Sequence, residues 1–398
     1  MGSEHSPLLP QNVSHIPGPR AAPSRGKWKR ILFAGATGLF ISTILFLRSQ
    51  RASVPDSIDH EFGVGFDLTS PYGTAAISYP NGTVVNVAKI DASGTYQEAM
   101  ARLSLRSSAH LHPPYNALDD YFRDQPRQLL RKARKAAGLP ASSDVGELAQ
   151  LILSLRSATE THLRGAKISG AVATIPHLPA LYQEDLEDAF EYAGLIYIPH
   201  PPYWNGGMLS ETAAVYAGNG FGMCSNYTDD EVCQDEKKNP PYQAVNENVL
   251  SISYTRNALI STWATEGMGF AFPAADRFQE GDFKLGSARR YDNPKEEYYW
   301  AAVRDVISRP VFMANDNIDR ETHRVLLHGE AALDERFRDV LSDVLEDVLP
   351  NNPPVFEMEP LYAAARGAAE MAKRIGWRFK HGWRFKHGMS PEGLEVVE

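Results

Sequence analysis

GVGFDLTSPYGTAAISYPNGTVVNVAKI, residues 63–90, is the stretch that decides the fold. It consists of three short apolar runs separated by the turn signals Pro71-Tyr72-Gly73 and Pro80-Asn81-Gly82. Turns of this composition favour tight reversals between paired strands. The stretch therefore predicts three consecutive antiparallel strands.

Helical and strand patterns alternate after these strands. Residues 115–138 predict a basic helix whose arginines and lysines face solvent, with a patch for phosphate or anionic lipid as the alternative. Apolar spacing after Asp144 predicts a helix that runs to about Arg164, with Asp144 as its N-terminal cap. The run AVATIP, residues 171–176, predicts a buried strand, and a helix is expected over residues 180–192.

The second half of the chain repeats this mixture of strands and helices. ETAAVYAG, residues 211–218, predicts a helix, and VLSISYTRNALISTWAT, residues 249–265, predicts a β-hairpin. Further elements are expected as a helix near residues 295–308, the strand RVLLHG at 324–329, a helix near 334–348 and a last helix over 361–374. A chain of 398 residues exceeds what one ordinary core needs, so we expect an α/β protein with two lobes.

An uncharged run, ILFAGATGLFISTILFL, begins at Ile31 and ends at Leu47. At about 1.5 Å per residue its length, roughly 25 Å, approaches the thickness of a bilayer core. We interpret it as an uncleaved transmembrane helix that attaches the protein to a membrane. A cleaved signal peptide and a buried core helix are the alternatives.

Charge around this run predicts its orientation. Five lysines and arginines lie between residues 20 and 30, whereas only Arg48 and Arg51 follow closely, which favours a cytosolic N-terminus. The main domain is then lumenal or extracellular, in the secretory or endomembrane system. Asn81 and Asn226 begin glycosylation sequons, which agrees with that side of the membrane. Cys224 and Cys233 could close a small disulfide loop there or remain free thiols.

Composition sets the remaining boundaries. The Pro- and Ser-rich residues 1–30 predict a disordered cytosolic tail, residues 48–61 a linker, and residues 375–398 a tail that contains WRFKHG twice in tandem. A net charge of −9 argues against a nucleic-acid partner, because phosphates attract basic surfaces. Two cysteines exclude a disulfide-rich scaffold and most cysteine-ligated zinc modules.

The order of these patterns resembles the nucleotide-binding domain of the seventy-kilodalton heat-shock chaperones and, more widely, the actin and sugar-kinase ATPase superfamily. The resemblance covers roughly residues 62–374 and is strongest over residues 148–195, where a helix, a strand ending in Ile-Pro and a helix ending in Ala-Gly-Leu follow in the family's order. It implies an actin-like ATPase fold with two ribonuclease-H-like lobes. The chaperones' peptide-binding domain has no counterpart in this sequence.

The resemblance also implies a nucleotide site, but its two phosphate hairpins are altered. At the first, Asp67 and the hydroxyl of Ser70 are kept, whereas Thr69 replaces a glycine. Pro71, which replaces a threonine there, has no backbone N–H to offer a phosphate. At the second, where the family reads Asp-x-Gly-Gly-Gly-Thr, residues 253–258 read Ser-Tyr-Thr-Arg-Asn-Ala. The alternative here is that Arg256 attracts a phosphate by its charge.

The resemblance assigns the family's nucleotide-binding and catalytic roles to only a few residues of this chain. Asp67, Ser70, Tyr72 and Gly329 would bind ATP, with Asp67 holding Mg²⁺ through water. Asp67 and Glu211 would be the catalytic residues if the site were active, and no clear counterpart of the family's catalytic lysine is present. ATP with Mg²⁺ is the only cofactor that the resemblance suggests.

Three functions follow from these patterns. We expect a single-pass membrane protein whose degenerate ATPase domain binds an unidentified protein partner or acts as a scaffold, and we lean away from an enzyme. A divergent but active ATP-binding chaperone is the alternative. A secretory-pathway transferase has the same membrane layout, but no Asp-x-Asp motif for a metal-bound nucleotide sugar occurs in the chain.

Overall fold

The structure is a computed structural model that describes residues 58, 60–198, 208–238, 247–266, 277–292, 295–318 and 321–380. The predicted cytosolic tail, the predicted membrane anchor and the second WRFKHG copy lie outside these residues. Within the described part of the chain, none of the helices combines the length and the apolarity needed to cross a bilayer.

Helices and strands alternate along the chain, as the sequence predicts for an α/β protein. The first part contains β1 (Gly63–Leu68), β2 (Tyr72–Ser78), β3 (Val84–Asp91), α1 (Gly94–Leu103), α2 (Leu118–Ala136), α3 (Ser143–His162), β4 (Gly170–Ile175), α4 (Gln183–Tyr192) and β5 (Ile196–Tyr197). The second part contains β6 (Leu209–Ser210), α5 (Glu211–Gly218), α6 (Asp230–Lys238), β7 (Glu247–Tyr254), β8 (Leu259–Glu266), β9 (Arg277–Asp282), α7 (Glu296–Ile318), β10 (Arg324–His328), α8 (Glu335–Val348), β11 (Val355–Phe356) and α9 (Ala363–Lys380).

The first sheet is built on the three predicted antiparallel strands. Its order is β3-β2-β1-β4-β5, with β6 paired to β4. β2 is antiparallel to both β1 and β3, whereas β4 is parallel to β1, with Asp67 opposite Thr174. Gly82 reverses the chain between β2 and β3 with φ of 86°, a conformation that favours glycine.

The second sheet has the same arrangement as the first. Its order is β9-β8-β7-β10-β11, with β8 antiparallel to β7 and β9, and β10 parallel to β7. In each sheet, therefore, a central strand has a hairpin partner on one side and a parallel strand on the other. Each of the two sheets of this α/β fold also has its own buried apolar cluster.

Helices α5 and α9 pack against each other next to β1. A Cβ atom at Gly367 would lie 1.8 Å from the Ala214 carbonyl oxygen, and one at Gly65 would lie 2.1 Å from the Ala369 nitrogen. Such spacing is possible only because these positions have no side chain. Gly367 and Gly65 therefore allow the backbone of α9 to approach both α5 and the first sheet.

Three local predictions differ from the structure. Ser142, not Asp144, caps α3, because its hydroxyl accepts a hydrogen bond from the Val145 N–H at 3.1 Å, while Asp144 pairs with Arg102. Helix α7 continues past Pro310 to Ile318. Helix α9 runs on to Lys380 rather than ending at residue 374.

The basic helix predicted over residues 115–138 forms as α2, but the expectation that its cations face solvent is wrong for three of them. Arg131 is buried, and Arg127, Arg131 and Lys135 form ion pairs with acidic residues of α4. The helix is held to the domain by its charged side rather than by an apolar one.

Candidate functional site

Side chains of the turn after β7 donate hydrogen bonds to the turn after β1 and to helix α1. Arg256, between β7 and β8, donates from Nη2 to the Pro71 carbonyl oxygen at 2.8 Å. The neighbouring Asn257 donates from Nδ2 to Gln97 Oε1 of α1 at 2.6 Å. These two turns are the places where the family resemblance puts the phosphate hairpins.

Opposite charges surround the Arg256 guanidinium. Arg256 Nη2 lies 3.0 Å from Asp91 Oδ1, and its Nε lies 3.7 Å from Glu330 Oε1. Lys89 contacts the same two acids, with Nζ 2.7 Å from Glu330 Oε2 and 3.1 Å from Asp91 Oδ1. The hydrogen bond from Lys89, together with that from Arg256, lowers the pKa of Asp91. We call these four residues, Lys89, Asp91, Arg256 and Glu330, the charge latch.

Asp67 stands at the end of β1 and is almost completely buried. Its Oδ1 has no hydrogen-bond partner in the described chain. Burial, followed by the charge of Glu211, raises the pKa of this carboxyl well above its ordinary value. The Tyr72 and Tyr96 hydroxyls are likewise buried without a described hydrogen-bond partner, and burial followed by the charge of Asp67 raises their pKa values. The surroundings of Asp67 thus favour its neutral form.

Glu211, the first residue of α5, belongs to a polar group contributed by the second sheet. Ser253 Oγ donates to Glu211 Oε1 at 3.3 Å, and His328 Nδ1 lies 3.4 Å from the same oxygen. His328 Nε2 lies 2.9 Å from Ser251 Oγ. The cavity lined by these side chains has a volume of about 10 Å³, which is room for about one water molecule.

The other predicted cofactor residues have structural contacts. Ser70 is buried, and the Tyr72 carbonyl accepts a hydrogen bond from Thr69 Oγ1 at 2.7 Å, which closes the first turn. Lys89 Nζ lies 5.0 Å from the centroid of the Tyr72 ring. Gly329 has φ of 103°, and a Cβ there would lie 2.4 Å from the Tyr254 carbonyl oxygen, so its conformation is required by the packing of the second sheet.

Of the predicted residues, the structure brings Asp67, Tyr72 and Glu211 into mutual electrostatic range, and Gly329 adjoins the latch residue Glu330. Residue patterns alone did not identify the other members of the site, which are Lys89, Asp91, Glu330, Tyr96, Ser251 and His328. The only local signal for any of them is the alternation of Lys89 and Asp91 at the end of β3.

These residues do not fit a magnesium-bound triphosphate. A phosphate placed between the two turns would have to displace the Arg256 side chain from Pro71 and from the acids of the latch. Pro71 supplies a carbonyl rather than an N–H at this point, and Asp67 is in surroundings that oppose its ionised form. Among the described residues, no group of three or more histidine, cysteine, aspartate and glutamate side chains could hold a metal ion.

The predicted disulfide and the second sequon lie close together in the chain after α5. The Cys224 and Cys233 sulfur atoms are 1.99 Å apart, at bonding distance. Asn226 is exposed, and Thr228 donates from its hydroxyl to Asn226 Oδ1 at 2.7 Å. Asn81, in the turn between β2 and β3, is exposed as well.

Both sequons are predicted to carry glycans if the domain is lumenal. We expect the full chain, expressed in eukaryotic cells, to gain mobility on a gel after endoglycosidase treatment. Asn81→Gln and Asn226→Gln should each remove one part of that shift. Thr83→Ala and Thr228→Ala should have the same effects as the corresponding asparagine variants, because glycosylation of the asparagine requires the hydroxyl residue two positions later. A wild-type protein unaffected by the enzyme would contradict the predicted topology.

Comparison with known proteins found no protein-family model and no curated protein that matches this chain.

Proposed function

We propose that this protein is a single-pass membrane protein whose two-lobed domain has an actin-like ATPase architecture and works as a non-hydrolysing binding or scaffold module. The domain is proposed to lie on the lumenal or extracellular side. In this proposal, contacts within the protein do what a bound nucleotide does in an active member of the superfamily: they hold the two lobes together.

The repeated sheet arrangement supports the actin-like part of the proposal. Both sheets have a central strand, an antiparallel hairpin and parallel strands on the far side, in the same order. Two ribonuclease-H-like lobes in one chain would have this arrangement. Helices α5 and α9 contribute to a third apolar cluster together with Val172 of the first sheet and Val249 of the second.

The observation that carries the functional proposal is the bond from Arg256 to Pro71. It joins the two turns at 2.8 Å, in the gap where the resemblance requires phosphates. Loss of a single preorganised donor at a developing charge typically costs about 10²–10³ in rate. Here the second turn carries Thr255, Arg256 and Asn257 instead of three glycines, and such changes need not add simply.

Thermal unfolding with and without nucleotide tests this proposal. Wild-type protein is expected to show the same Tm in the absence and in the presence of millimolar Mg-ATP. Arg256→Ala should lower the free energy of unfolding by about 1–2 kcal/mol, because it removes hydrogen bonds made by a charged group, and Mg-ATP should not restore the loss. Arg289→Ala is the matched control, since Arg289 is exposed and, among the described residues, forms its ion pair with nearby Asp292 alone; it should leave Tm unchanged.

A ligand that binds the native state would raise stability by about 2.7 kcal/mol at a concentration of 100 Kd. A rise of that size for wild-type protein with Mg-ATP would overturn the proposal.

An active, divergent ATPase is the second candidate, and the unpartnered Oδ1 of buried Asp67 favours it. A buried oxygen without a partner can be satisfied by a water or an ion. The alternative is a structural role in which Asp67 caps its own backbone at the turn after β1, but Oδ1 accepts no such hydrogen bond in the described chain. The two candidates differ in whether Asp67 affects hydrolysis.

A further inference from the structure

Helix α2 (Leu118–Ala136) has its polar and apolar faces the opposite way round from an ordinary surface helix. Its two buried residues are Asp124 and Arg131. Its exposed side carries Leu118, Phe122 and Leu129, which are 76%, 65% and 60% exposed. A surface helix of a globular protein normally buries its apolar stripe, so this orientation requires a cause.

The cause of the buried polar face is a set of ion pairs with α4. Arg131 Nη1 lies 2.7 Å from Asp185 Oδ1, and its Nη2 lies 2.6 Å from Asp188 Oδ2. Arg127 Nη1 lies 2.6 Å from Glu184 Oε1. Turning the helix to bury its leucines would break these pairs and leave charges without partners in a half-buried place, which costs several kcal/mol. The outward apolar face is therefore a stable feature of the domain.

The three exposed apolar residues form one stripe. Leu118 and Phe122 are four residues apart and Leu129 follows seven later, a spacing that places all three on one side of a helix. Ala133 and Ala136 continue the stripe and are exposed too, and Leu130 beside it is 61% exposed. Exposed apolar patches of this kind mark surfaces that contact a partner or a membrane.

Charge favours a lipid surface as the partner. Arg123 and Lys132 lie on opposite sides of the stripe, both exposed, and neither has an ion-pair partner in the described part of the chain. The acidic residues Asp119 and Asp120 lie in the first turn, where negative charge suits the positive end of the helix dipole, and not beside Leu129. An apolar stripe of leucine and phenylalanine with flanking cations is typical of helices that lie in the membrane interface.

The length of the connection to the predicted membrane span provides a second argument. The predicted membrane span ends at Leu47, and residues 48–57 separate it from Ile58, the first described residue. At about 3.5 Å per residue this connection reaches at most roughly 40 Å. A domain attached in this way would stay close to the bilayer at all times, so even weak lipid contact by α2 would be effective.

We propose that α2 lies flat on the membrane surface, with Leu118, Phe122 and Leu129 inserted at the boundary between headgroups and acyl chains. This inference rests on the membrane attachment in the proposed function. The ion pairs to α4 would then fix the orientation of the whole domain relative to the bilayer.

Site-specific labelling of the full chain tests the inference. The only two cysteines of the sequence form the Cys224–Cys233 disulfide, so an introduced thiol can be labelled alone. Leu129→Cys carries an environment-sensitive fluorophore in lipid nanodiscs of phosphatidylcholine and phosphatidylserine, with nitroxide-labelled lipid as quencher. Leu118→Cys provides a second position on the stripe, and Gln150→Cys, at an exposed position of α3, is the matched control.

We expect blue-shifted emission at positions 129 and 118 and quenching by nitroxide lipid several-fold stronger than at position 150. Equal quenching at all three positions in protein that co-elutes with discs would overturn the lipid inference while leaving the membrane attachment intact. Protection of position 129 that depends on protein concentration, with cross-links between copies, would overturn it in favour of a second copy. A chain that does not co-elute with discs would overturn both proposals.

Discussion

Gly367→Ala is expected to lower the free energy of unfolding by about 3 kcal/mol or more, the upper part of the range for overpacking. The new Cβ would lie 1.8 Å from the Ala214 carbonyl oxygen and 2.7 Å from its carbon, and both are backbone atoms of α5 that cannot move aside like a flexible side chain. A Cβ added at Gly218 of α5 would likewise lie 2.0 Å from the Ala363 carbonyl oxygen of α9. The two helices would have to separate along their whole contact.

Gly376→Ala is the matched control because it lies in the same helix. Its added Cβ would have a nearest neighbour 4.0 Å away, an ordinary contact. Alanine is the better helix former by about 1 kcal/mol, so this variant should be as stable as wild type or slightly more stable. Chemical denaturation of both variants measures the difference. If Gly367→Ala were as stable as Gly376→Ala, the close packing of α5 on α9 would be disproved.

Glu266→Gln is expected to stabilise the protein at pH 7 by about 3 kcal/mol. Glu266 is completely buried at the end of β8, and neither carboxyl oxygen has a described hydrogen-bond partner. Burial raises the pKa of this carboxyl from 4.5 to about 8, although the charge of Arg277 opposes the rise. One pKa unit corresponds to about 1.4 kcal/mol, so ionisation of the unfolded chain between pH 4.5 and 7 gives the expected size.

The sign of this effect determines its pH window. The native state holds its proton to higher pH than the unfolded state, so wild-type stability is full below pH 4.5 and falls as pH rises toward 8. Glutamine does not titrate and resembles the protonated acid. The advantage of the variant should therefore vanish near pH 4, as measured by denaturation at a series of pH values. A constant difference between variant and wild type from pH 4 to pH 8 would contradict the assigned burial.

The sequence predicts the strands of the β2–β3 and β7–β8 hairpins well because the signals for these strands and turns are local. Pro80, Asn81 and Gly82 form a turn between alternating apolar runs, and the structure has β2 and β3 paired across it. The helix predicted near residues 295–308 was correct in type but too short. Pro310 removes one backbone hydrogen bond, yet buried Val311 and Ala314 continue the packing of α7 on the second core, which offsets that loss.

The candidate site depends on contacts that no local pattern contains. Arg256 and Pro71 are 185 residues apart in the chain, and their bond exists only because the two sheets bring their turns together. The same holds for Lys89 and Glu330. From the sequence we could predict that these two turns differ from the phosphate hairpins of the family it resembles, but not that Arg256 bonds across them.

Helix α2 illustrates the same difficulty in another way. Its composition predicts a basic helix correctly, but composition by itself does not state which face of a helix is buried. Here the acidic residues of α4, among them Asp185 and Asp188, bind Arg131 and decide the orientation. Those acids lie more than 50 residues away in sequence.

Release of inorganic phosphate from ATP by the purified full chain tests the proposed function most directly. Wild type and Asp67→Asn would be measured side by side with Mg²⁺ and with a chelator. Because Arg256 bridges the two turns and Asp67 is buried in surroundings that oppose its charge, we predict that phosphate release by both proteins equals the rate without protein. Magnesium-dependent release by wild type that Asp67→Asn lowers by about 10²-fold or more would contradict the account.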